Sequence, residues 1–265
     1  MSDFKFKKSL GQNFLQDNNV IHKIVDSANI DKDTLLIEIG PGGGAITRYT
    51  VPLCGHALLY EADSRLEENL NELLKENNNY SILIGDFLKS NLKEDIVKYN
   101  YSKIYVVANL PYYITTPIIM KFIDSDVLPD KMVVMVQKEV ASRLSASVGS
   151  RDYGSLTVFL NYYYDIKKLF DVSRNCFMPK PNVDSAVVCF DLKKEREKVL
   201  DISLFKKLVR DSFSYKRKTI RNNLKSYDLK IVESVLLKHG FDLGVRAEAL
   251  SLDVFVEMAN ALVLK

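Results

Sequence analysis

EIGPGGGAIT, residues 38–47, decides how the chain is read. It overlaps the end of LLIEI (35–39), a short apolar run with the look of a buried strand, and it leads into a helical pattern. A glycine-rich turn at such a junction lets the backbone come close to a ligand. Gly40 to Ala45 fits the pattern G-x-G-x-x-A, with Gly42 as its second glycine. A tight strand-to-helix turn without any ligand is the plain alternative, because a lone match of this kind is common.

The surrounding chain repeats the strand-then-helix rhythm. ALLYE (57–61), SILIG (81–85), IYVVAN (104–109) and MVVMVQ (132–137) read as strands, and SRLEENLNELLKEN (64–77) has helical apolar spacing. Strands about 20 to 28 residues apart leave room for crossover helices, so the sheet is expected to be largely parallel and covered on both faces. LTVFLNYYY (156–164) and SAVVCFDL (185–192) read as two more strands. From about Leu204 only helical periodicity remains, in LFKKLVRDSF (204–213), IVESVLLKHG (231–240) and SLDVFVEMANALVL (251–264). The charged stretch KKEREKV (193–199) reads as a linker. The expected architecture is an α/β domain over 1–192 followed by a small all-helical domain over 200–265.

Bulk properties narrow the class. A chain of 265 residues, 47% of them hydrophobic, suits one large domain with a smaller appendage. Cys54, Cys176 and Cys189 form no disulfide or zinc pattern, and His22, His56 and His239 are scattered, so reduced thiols, a cytoplasmic location and no metal are expected. No apolar run approaches the ~18 residues of a membrane span, and MSDFKFKKSLGQNFL makes a poor signal peptide.

Acids at strand ends identify the nucleotide. Glu61 ends the second strand, 21 positions after Gly40, where a carboxylate accepts from two ribose hydroxyls. That suits NAD and S-adenosylmethionine equally. Glu38, inside the first strand, is unhelpful beside a pyrophosphate and tolerable beside a sulfonium. Asp86, in IGDF (84–87), ends the third strand and suits an exocyclic adenine amine. Each acid alone is a solvated loop residue as readily as a ligand contact. Together with the turn they favour S-adenosylmethionine over NAD, in the crevice at the carboxyl ends of the strands.

NLPYYI (109–114) closes the fourth strand at the same edge. It offers no strong acid, base or nucleophile. Methyl transfer to an adenine amine needs none, because the difficulty lies in orientation and in a lone pair delocalised into the ring. The Asn109 side chain and the Leu110 carbonyl can accept the amine hydrogens and stabilise positive charge growing on the nitrogen. Pro111 holds Leu110 extended, and Tyr112 can stack on the base. Phe177, in CFMPKPNVDSAVV (176–188), offers a second aromatic face of the kind that grips a flipped base. The plain reading of both stretches is a strand exit and a loop with packed aromatic residues.

These motifs, in this order, resemble one family. KSLGQNFL (8–15), EIGPGGGAIT, NLPYYI, QKEVASRL (137–144), YGSLTV (153–158), FMPKPNVDSAVV and KRKTIRNNL (216–224) look like the KsgA-type (RsmA) small-subunit rRNA adenine N6,N6-dimethyltransferases, over nearly the whole chain. The resemblance implies a Rossmann-like S-adenosylmethionine-dependent methyltransferase sheet, its last strand antiparallel, with a C-terminal helical RNA-binding domain. It implies cofactor contacts at Asn13, Leu15, Gly40, Gly42, Glu61, Asp86 and Asn109, and a reacting adenine beside Asn109, Leu110, Tyr112 and Phe177. The implied activity is dimethylation of two adjacent adenines near the 3′ end of small-subunit (16S) rRNA during ribosome biogenesis, by a monomer acting on the small-subunit precursor. Gly43 stands where the family often has leucine, and Asn182 where it often has Lys or Arg.

Charge is uneven along the chain. Lys206, Lys207, Arg210, Lys216, Arg217, Lys218, Arg221, Lys225 and Lys230 face only Asp211 and Asp228 in the same stretch. Lys218, Arg221 and Lys225 recur at helical spacing, which reads as a phosphate-contacting stripe or as a solvated helix face. Lys5, Lys7 and Lys8 add a basic cluster in an arm (1–16) expected to be flexible. Three rivals remain. A large-subunit rRNA methyltransferase of the antibiotic-resistance type is disfavoured by KRKTIRNNL and RAEALSLDVF (246–255). A non-catalytic assembly factor need not keep Glu61, Asp86 and NLPY, and a nicotinamide oxidoreductase lacks a hydride-site residue.

Overall fold

The computed structural model describes residues 11–264. Lys5, Lys7 and Lys8 therefore lie outside the described residues. In chain order the elements are β1 (Phe14–Leu15), α1 (Asn18–Ala28), β2 (Thr34–Ile39), α2 (Thr47–Thr50), β3 (His56–Glu61), α3 (Glu67–Leu73), β4 (Tyr80–Ile84), α4 (Leu92–Ile96), β5 (Lys103–Asn109), α5 (Thr115–Asp124), β6 (Lys131–Gln137) and α6 (Lys138–Leu144). They continue with α7 (Ser155–Tyr163), β7 (Tyr164–Val172), β8 (Phe177–Met178), β9 (Ser185–Leu192), α8 (Ile202–Ser212), α9 (Ile220–Asn223), α10 (Leu229–Lys238) and α11 (Leu252–Val263). The chain divides into two compact units, one running to Ala141 and taking up again over Lys167–Leu192, the other made of Ser142–Ile166 and the chain from Lys193 onward.

The first unit is built on a seven-stranded sheet of order β4-β3-β2-β5-β6-β9-β7. β2 pairs parallel with β3 on one side and with β5 on the other. β3 pairs parallel with β4 and β5 with β6, while β9 runs antiparallel to β6. The order reverses at β2, which makes its carboxyl end the switch point where such sheets open a crevice. Every residue of β2 is buried, Thr34 and Glu38 included, as a strand covered on both faces requires. α1 covers one face with Ile21, Ile24, Val25 and Ala28, spaced for a single helical stripe. It starts where the Asp17 side chain accepts from the Val20 amide and stops at Asn29 in a left-handed conformation.

β7 escapes notice in the sequence because YDIKKLFDV alternates poorly and carries charge. It lies at the end of the strand order, and its central residues Lys167, Lys168 and Leu169 are exposed. Lysines on an edge strand discourage pairing with another chain. Residues 11–16 also depart from expectation. They are not a loose arm: Phe14 and Leu15 pair antiparallel with Met178 and Phe177, and the Gln16 amide donates to Cys176 O at 2.8 Å.

The second unit is helical, and LTVFLNYYY is part of it. This stretch forms α7, not the strand its apolar run suggests. A short continuous apolar run does not distinguish a buried strand from a buried helix by periodicity. Packing decides it: Phe159 and Tyr162 both lie against Phe205 of α8, with ring centroids 6.4 and 5.4 Å apart. Consequently Ser142–Ile166 joins the C-terminal helices, where the sequence reading kept it within 1–192. α8 begins where the Asp201 side chain accepts from the Ser203 and Leu204 amides. Residues 193–199 carry neither helix nor strand, yet they belong to this unit: the Lys193 amide donates to Tyr163 O at 2.9 Å and Asn260 Nδ2 to Lys198 O at 2.8 Å.

The Lys218, Arg221, Lys225 stripe is not realised as one helix. α9 spans only Ile220–Asn223, with Lys218 before it and Lys225 in the turn after it. Ile220 and Leu224 are fully buried and pin this short turn to the core, which interrupts the helical path. No helix among the described residues is long and apolar enough to cross a membrane.

Candidate cofactor and substrate site

In the first unit, a cavity of about 370 Å³ opens at the carboxyl ends of β2, β3, β4 and β5. Asn13, Leu15, Gly40, Gly42, Glu61, Asp86, Asn109, Leu110 and Tyr112 all line it. These residues span nearly a hundred positions of sequence; the parallel register brings together those at or just past the ends of β2, β3, β4 and β5, and the segment around β1 closes over them.

The glycine turn is a close-approach surface. Gly42 has φ +58°, and a Cβ there would meet the Phe14 ring at 2.9 Å. Gly44 has φ +73°, and a Cβ there would lie 2.1 Å from Leu73 Cδ2. Only glycine adopts this backbone without strain and leaves room for these neighbours. Glu61 is 5% exposed and braces the turn from β3. Its Oε2 accepts from the Gly42 amide at 3.0 Å and its Oε1 from the Asp63 amide at 2.9 Å. Burial pushes the Glu61 carboxyl above its usual range, and the two backbone amides oppose that shift. Sequence reasoning gave Glu61 a ribose to hold; its second task, holding the turn, needed the fold.

Glu38 is 2% exposed on β2 and also lines the cavity. Its Oε2 has no hydrogen-bond partner. Burial pushes its carboxyl up to about 8, and the Glu61 carboxylate adds to the shift. Asp86 is exposed at the cavity rim, where its Oδ1 accepts from the Leu88 amide at 3.0 Å.

Asn109 has a fixed amide. Its Nδ2 donates to the Asn13 carbonyl at 3.0 Å, so its Oδ1 must be the other end of the amide. That oxygen is buried and has no partner. A buried acceptor left open in this way is rare in folded proteins and calls for a functional explanation. Leu110 is held by its amide, which donates to Met135 O at 3.1 Å. Tyr112 is held by its hydroxyl, 2.6 Å from Ser185 Oγ at the start of β9. Burial pushes the Tyr112 phenol up while the Ser185 bond opposes it, so at neutral pH the hydroxyl keeps its proton. Ser185 was quoted within a motif but given no role, and nothing in the sequence pairs it with a residue 73 positions earlier. Gln12, another lining residue, was missed as well: its Nε2 donates to the buried Asp63 Oδ2 at 3.0 Å, tying the segment before β1 to the chain just past β3.

Phe177 is not brought into this group. It is 5% exposed, lies outside the cavity lining, and packs in the apolar core with Leu15, Val187 and Cys189. Its pairing with Leu15 across β1 and β8 supports the cavity wall from behind.

The donor set tests which nucleotide fits. The described residues lining the cavity include three carboxylates and no lysine or arginine. Even with Glu38 protonated, a pyrophosphate would find acids and no cation to balance it, whereas a nucleoside bearing a cationic sulfonium is favoured beside Glu61 and Asp86. The volume suits a small-molecule cofactor. The fold and pocket are those of an S-adenosylmethionine-dependent methyltransferase. The model of the family described as ribosomal RNA adenine dimethylase matches residues 3–263, and the chain belongs to that family.

Known relatives agree. "Ribosomal RNA small subunit methyltransferase A" of Streptococcus sanguinis is 44% identical over 98% of this chain and 92% of its own length. A dimethyladenosine transferase from Plasmodium falciparum has a similar structure, with a TM-score of 0.77, 27% identity, and coverage of 92% of this chain and 95% of its own. The 23S rRNA methyltransferase ErmE shares the fold, with a TM-score of 0.75, 24% identity, and coverage of 94% and 99%. The chain is an rRNA adenine methyltransferase with S-adenosylmethionine as its cofactor.

Proposed function

We propose that this enzyme dimethylates N6 of two adjacent adenines near the 3′ end of small-subunit (16S) rRNA during ribosome biogenesis. It acts in the cytoplasm as a monomer, on the small-subunit precursor. The observation that carries the chemistry is the open, buried Oδ1 of Asn109. Full-length identity to a small-subunit methyltransferase supports the choice of RNA.

S-adenosylmethionine, when bound, supplies an electrophilic methyl group on a cationic sulfur. Gly40, Gly42, Glu61, Asp86, Asn13 and Leu15 would hold it. Asn109 Oδ1 and the Leu110 carbonyl accept the two hydrogens of the adenine amine. This draws its lone pair out of the ring and stabilises the charge that builds on nitrogen. Tyr112, its ring orientation held through Ser185, offers a face to the base. No strong base is required, because the amine is acidic once alkylated and its proton leaves to solvent afterwards. Phe177 contributes by supporting the Leu15 wall. Lys216, Arg217, Lys218, Arg221 and Lys225, all exposed, contact phosphates and make the second unit the RNA-binding one, with the first unit as the catalytic one.

The test is transfer of labelled methyl to unmethylated small subunits, followed by mapping of the product. Dimethyladenine at two neighbouring positions is expected. Label in large-subunit RNA would overturn the substrate assignment, and tight subunit binding without transfer would overturn catalysis. Neutralising Arg221 and Lys225 together should weaken RNA binding and flatten its salt dependence, with cofactor affinity unchanged.

A further inference from the structure

The loop between α8 and α9 carries Tyr215 in front of Lys216, Arg217 and Lys218. Tyr215 is 68% exposed, and a tyrosine ring left in water forgoes most of the burial free energy available to it. Looseness of the loop does not account for this, because the backbone on both sides is tied down. Phe213 lies against Phe255 and Tyr153, with ring centroids 5.8 and 6.0 Å apart. Asn223 Nδ2 donates to Ser212 O at 2.7 Å and to Tyr215 O at 3.3 Å. The Lys218 amide donates to Tyr215 O at 2.9 Å, closing a turn. On the far side, the Ile220 amide donates to Val245 O at 2.8 Å, and Ile220 is fully buried.

The loop therefore holds an aromatic ring outward on a fixed backbone, beside three consecutive exposed cations. The nearby acid Asp211 is already engaged by Lys207 and by the Tyr227 hydroxyl, so the surface at Tyr215 keeps its positive character. A flat aromatic face with three exposed cations next to it in sequence fits a single-stranded nucleotide segment, whose bases stack on such faces and whose phosphates pair with such cations. An acidic protein partner would use the cations and leave the ring without a matched surface.

We infer that Tyr215 stacks on an unpaired base of the RNA substrate while Lys216, Arg217 and Lys218 hold the flanking phosphates. This rests on the rRNA reading above and adds to it a contact that is aromatic and not ionic. Stacking of this kind tolerates sequence and is insensitive to salt, unlike the phosphate contacts.

The experiment compares wild type, Tyr215→Phe, Tyr215→Ala and Arg217→Gln for binding to unmethylated small subunits over a range of salt. Tyr215→Ala should weaken binding about 5- to 150-fold with the salt slope unchanged. Tyr215→Phe should bind within about twofold of wild type. Arg217→Gln should reduce the slope by about one ion. In methyl transfer, Tyr215→Ala should raise KM for subunits and leave single-turnover rates at saturation intact. Wild-type affinity in Tyr215→Ala, or a Phe variant as weak as Ala, overturns the stacking assignment while the rRNA reading stands. Failure of the wild-type protein to bind small subunits overturns the rRNA reading and this inference with it.

Discussion

Replacing Glu61 by Gln separates the turn-bracing role of this carboxylate from the ribose contact proposed for it. In the free protein each Glu61 oxygen accepts one backbone amide, from Gly42 and from Asp63. Gln keeps one acceptor and turns an NH2 group towards the other amide, losing a bond to an ionised acceptor worth about 1.5–3 kcal/mol. Against that, Gln carries no charge to bury, and burial is what lifts the Glu61 carboxyl above its usual range. The two effects oppose, so the stability of the free protein should change by less than about 1 kcal/mol, a Tm change of a few degrees. Cofactor binding has no such offset. Two ribose hydroxyls both need to donate, and Gln presents only one uncharged oxygen. Losing one charge-assisted bond of about 1.5–3 kcal/mol weakens cofactor affinity about 10- to 150-fold. Calorimetric titration with S-adenosylmethionine or its demethylated product, alongside thermal unfolding, reads both quantities. Unchanged affinity in a stable variant would refute the ribose contact. A loss of affinity matched by a Tm drop beyond about 10 °C would refute the claim that Glu61 does more than brace the turn.

Other outcomes follow from the same geometry. Asn109→Ala should abolish most methyl transfer while retaining part of the cofactor affinity; single-turnover rates near wild type would sink the role of its open oxygen. Ser185→Ala and Tyr112→Phe each leave one hydroxyl of a 2.6 Å pair unmatched. Their effects on kcat should therefore be non-additive by about 1 kcal/mol or more in a double-mutant cycle; strict additivity would show the pair is incidental. Glu38 is ionised in the unfolded chain above about 4.5 but protonated in the fold up to about 8. The native state therefore binds the extra proton between these values, and stability falls as pH rises across that window, by at most about 1.4 kcal/mol per pH unit. Glu38→Gln should flatten this fall in thermal unfolding followed from pH 5 to 8; identical pH profiles would show that Glu38 is solvated.

Much of the site is legible in the sequence because strand ends are sharp there. Glu61 and Asn109 each terminate a buried apolar run, and the run itself tells the reader that they sit at a sheet edge. The glycine turn is legible for a steric reason, since only glycine serves at Gly42 and Gly44. What stays hidden depends on pairing between distant segments. Ser185 becomes meaningful only once β9 lies beside β6, where Ser185 stands opposite Gln137. Phe177 reads as a stacking face because of its proline neighbours, whereas the β1–β8 pairing commits it to the core. LTVFLNYYY is apolar enough to be buried either way, and the aromatic contacts with Phe205 select the helix. The cations from Lys218 to Lys225 have helical spacing, yet Ile220 and Leu224 fold that segment against the core before a long helix can extend.

The chain order of the site has a consequence for synthesis. Every described residue lining the cavity falls between Gly11 and Ile114. The hydroxyl that orients Tyr112 arrives only with Ser185, at the start of β9, after the chain has made α7, returned to the sheet as β7 and paired β8 with β1. Domains fold as units while the ribosome is still adding residues. A nascent chain thus carries the cavity residues early, but the strand that holds Leu15 in the cavity wall (Phe177–Met178) and the hydroxyl that orients Tyr112 (Ser185) both arrive late. A protein that matures ribosomes is itself released from one as pocket and catalyst together.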